Sequence, residues 1–139
     1  MGGIDLDPCS NSKTAPNVPA EQHYNRDNDG LSRLWHARVY LNPPYGAGIE
    51  SWIDKLAAEV AAGRGREAIT LVPGRTDTTW FRRRPTELIC FNGRLRFSEH
   101  ENAAPFPSAV AYIGLRPWRF VEAFEPIGKM FACFAPDWR

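Results

Sequence analysis

The chain has 139 residues, of which 43% are hydrophobic, and a formal net charge of +1, which suits one domain built on one core. No run approaches the length of a membrane span, and the opening Met-Gly-Gly-Ile-Asp has no signal-peptide pattern. Cys9, Cys90 and Cys133 are odd in number and lack metal-ligand spacing, so reduced thiols in a cytoplasm are expected and no metal site is assigned.

The small net charge conceals a segregation. Residues 1–59 carry five basic and eight acidic side chains, residues 64–96 carry eight arginines against Glu67, Asp77 and Glu87, and residues 97–139 carry four basic and five acidic groups. Fourteen of the seventeen basic residues are arginine. Guanidinium forks pair with phosphates and stack on bases, so an arginine-rich stretch favours nucleic acid as partner. A solvated helix face would also carry scattered arginines. Arg82, Arg83 and Arg84 beside Trp80 and Phe81, with Arg75 and Arg94 flanking them, tilt the reading towards nucleic acid.

In chain order, Gly3-Ile4-Asp5-Leu6-Asp7 reads as a first strand ended by Pro8. Residues 10–33 are polar and rich in Asn, Pro and Asp, and read as loop. Ala37-Arg38-Val39-Tyr40-Leu41 is a second strand. Ile49, Trp52, Ile53, Leu56, Ala57 and Val60 recur at helical spacing, and Gly63 and Gly65 stop that helix. Residues 67–72 form another apolar strand, closed by Pro73-Gly74, and Thr76 to Arg83 form a short helix capped by Thr76 or Asp77. Strands are expected at 87–91 and 94–97, joined as a hairpin by Asn92-Gly93, with further strands at 107–113 and 129–134. Strand, helix, strand with apolar strands indicates α/β: a mostly parallel sheet with antiparallel C-terminal strands.

Asn42-Pro43-Pro44-Tyr45 follows the second strand directly. Each proline lacks an N–H, and Asn42, preceding one, is held extended, so the loop tip is stiff and its carbonyls have little intrachain use. Asn42 adds a side-chain acceptor and Tyr45 a flat ring. Two acceptors and a stacking face are what a site needs to grip a planar ring bearing an amino group. Taken alone, such a loop is more readily a rigid turn. In an open α/β sheet, however, ligands sit beyond the carboxyl ends of the strands, and Asp7, Asn42 and Arg75-Thr76-Asp77 all follow strand ends. Their convergence favours an active site.

Five stretches then resemble one family in register. Asp5-Leu6-Asp7-Pro8-Cys9-Ser10-Asn11, Asp29-Gly30-Leu31 with Trp35, and Leu41-Asn42-Pro43-Pro44-Tyr45-Gly46 are similar to the phage-type DNA N-6-adenine methyltransferases (Dam). So are Leu71-Val72-Pro73-Gly74-Arg75-Thr76-Asp77-Thr78 with Trp80-Phe81, and Asn92-Gly93-Arg94-Leu95 with Phe97, the whole covering about residues 3–113. The resemblance implies a Rossmann-like methyltransferase sheet, S-adenosylmethionine as donor, adenine in double-stranded DNA as acceptor, and a bacterial cytoplasm with phage or prophage origin.

By the same resemblance Asp7 is the acidic residue of the donor motif, with Pro8 and Cys9 beside it. Asp5, two residues back on the same side of the strand, supports it or serves as a loop carboxylate. Asn42 and the Pro43 carbonyl accept from the adenine amino group, Pro44 stiffens the loop, and Tyr45 stacks on the flipped base. Family members usually begin with a further donor-binding segment, whereas this chain opens at the first strand. A single, N-terminally short domain over residues 1–139 with weak donor binding is therefore expected. A methyltransferase for protein glutamine or an RNA base, or a DNA-binding remnant, would use the same features.

Overall fold

Two apolar strands and the helix between them form the frame on which the rest is hung. In the computed structural model, which describes residues 2–83, 88–96, 102 and 104–133, β1 (Ile4–Asp7) and β2 (Ala20–His23) precede β3 (Ala37–Leu41). The helix α1 (Ile49–Ala61) leads to β4 (Gly65–Pro73), and α2 (Thr79–Arg83) leads to β5 (Leu88–Asn92). The chain ends with β6 (Ser108–Ile113), α3 (Pro117–Phe124) and β7 (Lys129–Ala132). All seven strands join one sheet in the order β2-β1-β3-β4-β6-β5-β7.

The sheet is not mostly parallel, contrary to expectation. β1 pairs in parallel with β2 and β3, and β3 with β4, but β4–β6, β6–β5 and β5–β7 are antiparallel, and β4–β6 is the longest ladder of the sheet. A parallel pair generally needs a helical crossover on the sheet face, and β3-α1-β4 supplies one. The antiparallel C-terminal strands are as expected.

Three further expectations fail locally. Residues 94–96 form no strand, and β5 pairs with β6 and β7 instead of folding back at Asn92-Gly93. Gly93 opens a wide connection, closed where Ser108 N donates to Gly93 O at 2.8 Å. The polar stretch 10–33 contains β2, an edge strand whose Ala-Glu-Gln-His sequence has no apolar alternation to announce it. The helix expected from Thr76 begins at Thr79, after a turn in which Thr78 Oγ1 donates to Arg75 O at 2.7 Å.

One face of the sheet holds the main core. Ile49, Ile53 and Leu56 of α1 and Phe81 of α2 pack on Leu6, Val39, Leu41, Ala68, Val72, Ile89, Ala109 and Ala111. Trp35, fully buried, stacks on Trp52 at 6.0 Å and donates from Nε1 to Gly30 O at 2.8 Å. A Cβ on Gly30 would lie 2.0 Å from the Pro8 carbonyl oxygen, so only glycine fits where this segment passes under the end of β1. Removing Leu56 to Ala would cost about 2–5 kcal/mol, the usual loss for a fully buried leucine.

The opposite face is divided. Over β4, β5 and β6 it is apolar, with Phe120 and Phe124 of α3 packed on Cys90, Tyr112, Ile69, Leu88, Val110 and Met130. Pro117 starts α3 at a position that needs no N–H, which with Phe120 and Phe124 four apart is the sequence signal for this helix. Over β1 and β3 the same face carries Asp5, Asp7, Arg38 and Tyr40. Glu67 marks the boundary, accepting from Tyr112 Oη at 2.7 Å and Arg116 Nη2 at 2.6 Å.

Candidate active site

Asp7 is the last residue of β1 and is 4% exposed. Pro8 stops the strand, and the chain turns so that Cys9 N donates to Asp7 Oδ1 at 3.1 Å. Tyr24 N donates to Asp7 O at 2.9 Å and Ser10 N to Tyr24 O at 2.8 Å, so this turn is stapled to the end of β2. Burial raises the Asp7 carboxyl above its ordinary pKa, against the opposing pull of the Cys9 N–H, the His23 charge and the Ser10 hydroxyl. Burial, and then the Asp7 charge, push the Cys9 thiol up to about 12. Cys9 is a thiol at neutral pH and no nucleophile.

At the end of β3, Asn42 is half-buried, Pro43 buried, Pro44 exposed and Tyr45 half-buried. The Tyr45 ring rests on the main core and meets Phe106 edge-on, 5.6 Å between centroids and 66° between planes. Burial first, and Tyr40 second, raise its phenol pKa, so the ring is neutral. Gly46 then turns the chain into α1, with Ile49 N donating to Gly46 O at 3.2 Å. The loop is thus held at both ends, by a central strand and by the longest helix among the described residues.

The third strand end is looser. Arg75, Thr76 and Asp77 are exposed, and Arg75 Nε lies 3.3 Å from Asp77 Oδ1. The Arg75 hydrogen bond lowers the Asp77 pKa.

Because β1, β3 and β4 run in parallel, Asp7, Asn42 and Arg75 to Asp77 leave the sheet at one edge. The pairing of Leu6 with Val39 sets Asp7 beside Tyr40 on one face. Asp7 acts electrostatically on Tyr40, and Tyr40 on Tyr45, which ties the two strand ends into one neighbourhood. Tyr40 was not among the residues anticipated from sequence. Its signal was parity: it stands on β3, two residues before Asn42, which follows that strand directly.

Asp5 lies on the same face as Asp7 but is closed by another partner. Arg38 donates to it from Nη2 at 2.6 Å, from Nε at 2.9 Å and from its backbone N at 2.8 Å. The Arg38 hydrogen bonds hold the Asp5 carboxyl down at about 2. The pair lines a cavity of about 610 Å³ with Arg66, Glu67 and Arg116, towards the starts of the strands.

The arginines are dispersed. Arg82 and Arg94 are exposed. Arg83 instead turns onto α1, bonded to Glu50 and 3.5 Å from Asp54. Arg84 lies outside the described residues. Among the described residues no group of His, Cys, Asp and Glu side chains is placed to hold a metal, and no helix is long and apolar enough to cross a membrane.

The family model for DNA N-6-adenine-methyltransferase (Dam) matches residues 1–113, a span that includes Asp7, the Asn42 loop and Arg75 to Asp77. No curated protein and no solved structure matches the chain.

Proposed function

The chain belongs to the DNA N-6-adenine-methyltransferase (Dam) family, and from that premise we propose that it transfers a methyl group from S-adenosylmethionine to the exocyclic amino nitrogen of adenine at specific sites in double-stranded DNA. The observation that carries this reading is the meeting of a buried carboxylate and a stiff amide-bearing loop at one sheet edge, on neighbouring parallel strands. The parallel block β2-β1-β3-β4 followed by reversed β6 supports a Rossmann-like methyltransferase sheet, and β7, hydrogen-bonded to β5, supports one domain across residues 1–139.

The residues fit the donor. Asp7 is buried and burial penalises its charge, so a cation set before it recovers the ionised form. When bound, the donor supplies an electrophilic methyl on a sulfonium. Asp7, with Pro8 and Cys9 shaping its turn, attracts the donor's positive charge. Asn42 Oδ1 and the Pro43 carbonyl accept the two amino N–H bonds of adenine, aiming the nitrogen lone pair, and Pro44 holds the tip stiff. Tyr45, braced by Phe106, offers its ring to the extruded base. No strong base is required, so alignment and fixed dipoles carry the rate. Arg75, Arg82 and Arg94, with Arg84, take the DNA backbone; in this reading Arg83 chiefly fastens α2 to α1. Such an enzyme works where the DNA is, in a bacterial or phage-infected cytoplasm.

Labelled donor with adenine-containing duplex DNA tests the reading. Label in N6-methyladenine is the expected result. Label only in protein or RNA would overturn the acceptor, and DNA binding without donor binding would overturn the enzyme.

A further inference from the structure

Asp7 needs something beyond its turn to hold a cation in place, and the sheet register shows what stands beside it. The pairing of Asp7 with His23, of Leu6 with Val39 and of Tyr40 with Ile69 sets His23, Asp7, Tyr40 and Ile69 in one row across four strands on one face. Arg38, one row back on β3, is bound at Nη2 and Nε to Asp5 and does not serve as the counter-charge of Asp7. The His23 ring is engaged with Val18 O at 2.8 Å. Tyr40 is half-buried and two residues before Asn42, about 7 Å from it along an extended chain. It therefore stands between the carboxylate at the end of β1 and the amide that follows β3.

We infer that Tyr40 is a further donor-site residue, its ring face holding the sulfonium of the donor beside Asp7 and in line with Asn42. The inference rests on the methyltransferase reading and specifies how the site recognises charge. A cation lying against an aromatic face is attracted by the ring quadrupole, and the attraction grows as water is excluded. The phenol stays neutral, because burial and the Asp7 charge both resist its ionisation, so the ring adds a face without adding a charge. The spent donor, S-adenosylhomocysteine, is a neutral thioether of nearly the same shape. A ring in this position grips the methylated form and lets the demethylated one go.

Calorimetry on the full chain with both compounds tests this. Tyr40→Leu should weaken S-adenosylmethionine binding about 5- to 30-fold, the range of a partly to well desolvated cation–π contact, and change S-adenosylhomocysteine binding less than twofold. Tyr40→Phe should leave both unchanged. If Tyr40→Leu does not fold, phenylalanines of increasing ring fluorination at position 40 keep the shape. Affinity for the sulfonium alone should then fall with each fluorine. Equal losses for both ligands, or no loss for either, would overturn the role of Tyr40 while leaving the methyltransferase intact. A folded wild-type chain that binds neither compound would overturn the methyltransferase reading itself, and this inference with it.

Discussion

One face of a single sheet is built in two ways. Over β4, β5 and β6 it is apolar and covered by α3, with Phe120 stacked on Tyr112 at 5.2 Å between centroids. Over β1 and β3 it carries Asp5, Arg38, Asp7 and Tyr40, two of them buried carboxylates. The first half gains stability from area removed from water. The second half keeps polar groups in place by pairing or by turn geometry, and these groups add little net stability. Activity and stability should therefore separate along the sheet, with β4 as the seam.

The largest break should come on the covered half. Phe120→Ala leaves a cavity between α3 and Tyr112, and should cost about 3–5 kcal/mol in denaturant unfolding. Methylation per folded molecule should hardly change. A turnover loss in proportion to the stability loss would mean that the halves are coupled.

The reverse pattern is expected at Asn42. Asn42→Ala should cut turnover by about 10²–10³-fold, the usual loss for one positioned polar group, with donor affinity and unfolding midpoint unchanged. Near-normal turnover would remove Asn42 from the site.

Smaller effects sharpen the comparison. Arg82→Ala and Arg94→Ala should each flatten the salt dependence of DNA binding by about one unit of slope, whereas Arg83→Ala, whose guanidinium sits on Glu50 and Asp54, should not. Equal slopes for all three would make the arginines a solvated face.

The subtlest test uses acid. The folded Asp5 pKa, about 2, lies below its ordinary value of 3.8. Its contribution to stability is therefore fully present above the ordinary value and lost as pH falls through about 2, because the unfolded chain binds the proton first. In Asp5→Asn that part of the acid dependence should vanish from urea titrations between pH 4 and 2. An unaltered pH profile would mean that Arg38 does not hold the carboxylate.

Local features of the fold were the legible ones. The short apolar run at residues 37–41, the helical spacing from Ile49 to Val60 and the proline stops predicted β3, α1 and the loop between them closely. What stayed hidden depends on partners distant in sequence. β2 is polar because it is an edge strand, and its identity lies in pairing with β1. The pairing of β5 with β6 overrode the Asn-Gly signal, since a better-buried partner arrives later in the chain. The site divides in the same way. Asp7 and the Asn42 loop stand at strand ends that punctuation residues reveal. Tyr40 and the bond between Arg38 and Asp5 depend on register between strands more than thirty residues apart, and the pairing of Arg83 with α1 depends on how two helices pack.

The edge position of β7 has a consequence for handling the protein. The Leu-Ile-Cys-Phe run of β5 combines strong strand propensity with no charge, and bare backbone beside it would template pairing between molecules. β7 occupies that backbone from Lys129 to Ala132 and replaces it with a short edge that opens on a lysine. The segment that matches the family ends at residue 113, yet the few residues near 130 are the ones that cover this strand. Trimming the chain to the matched segment would uncover an adhesive strand.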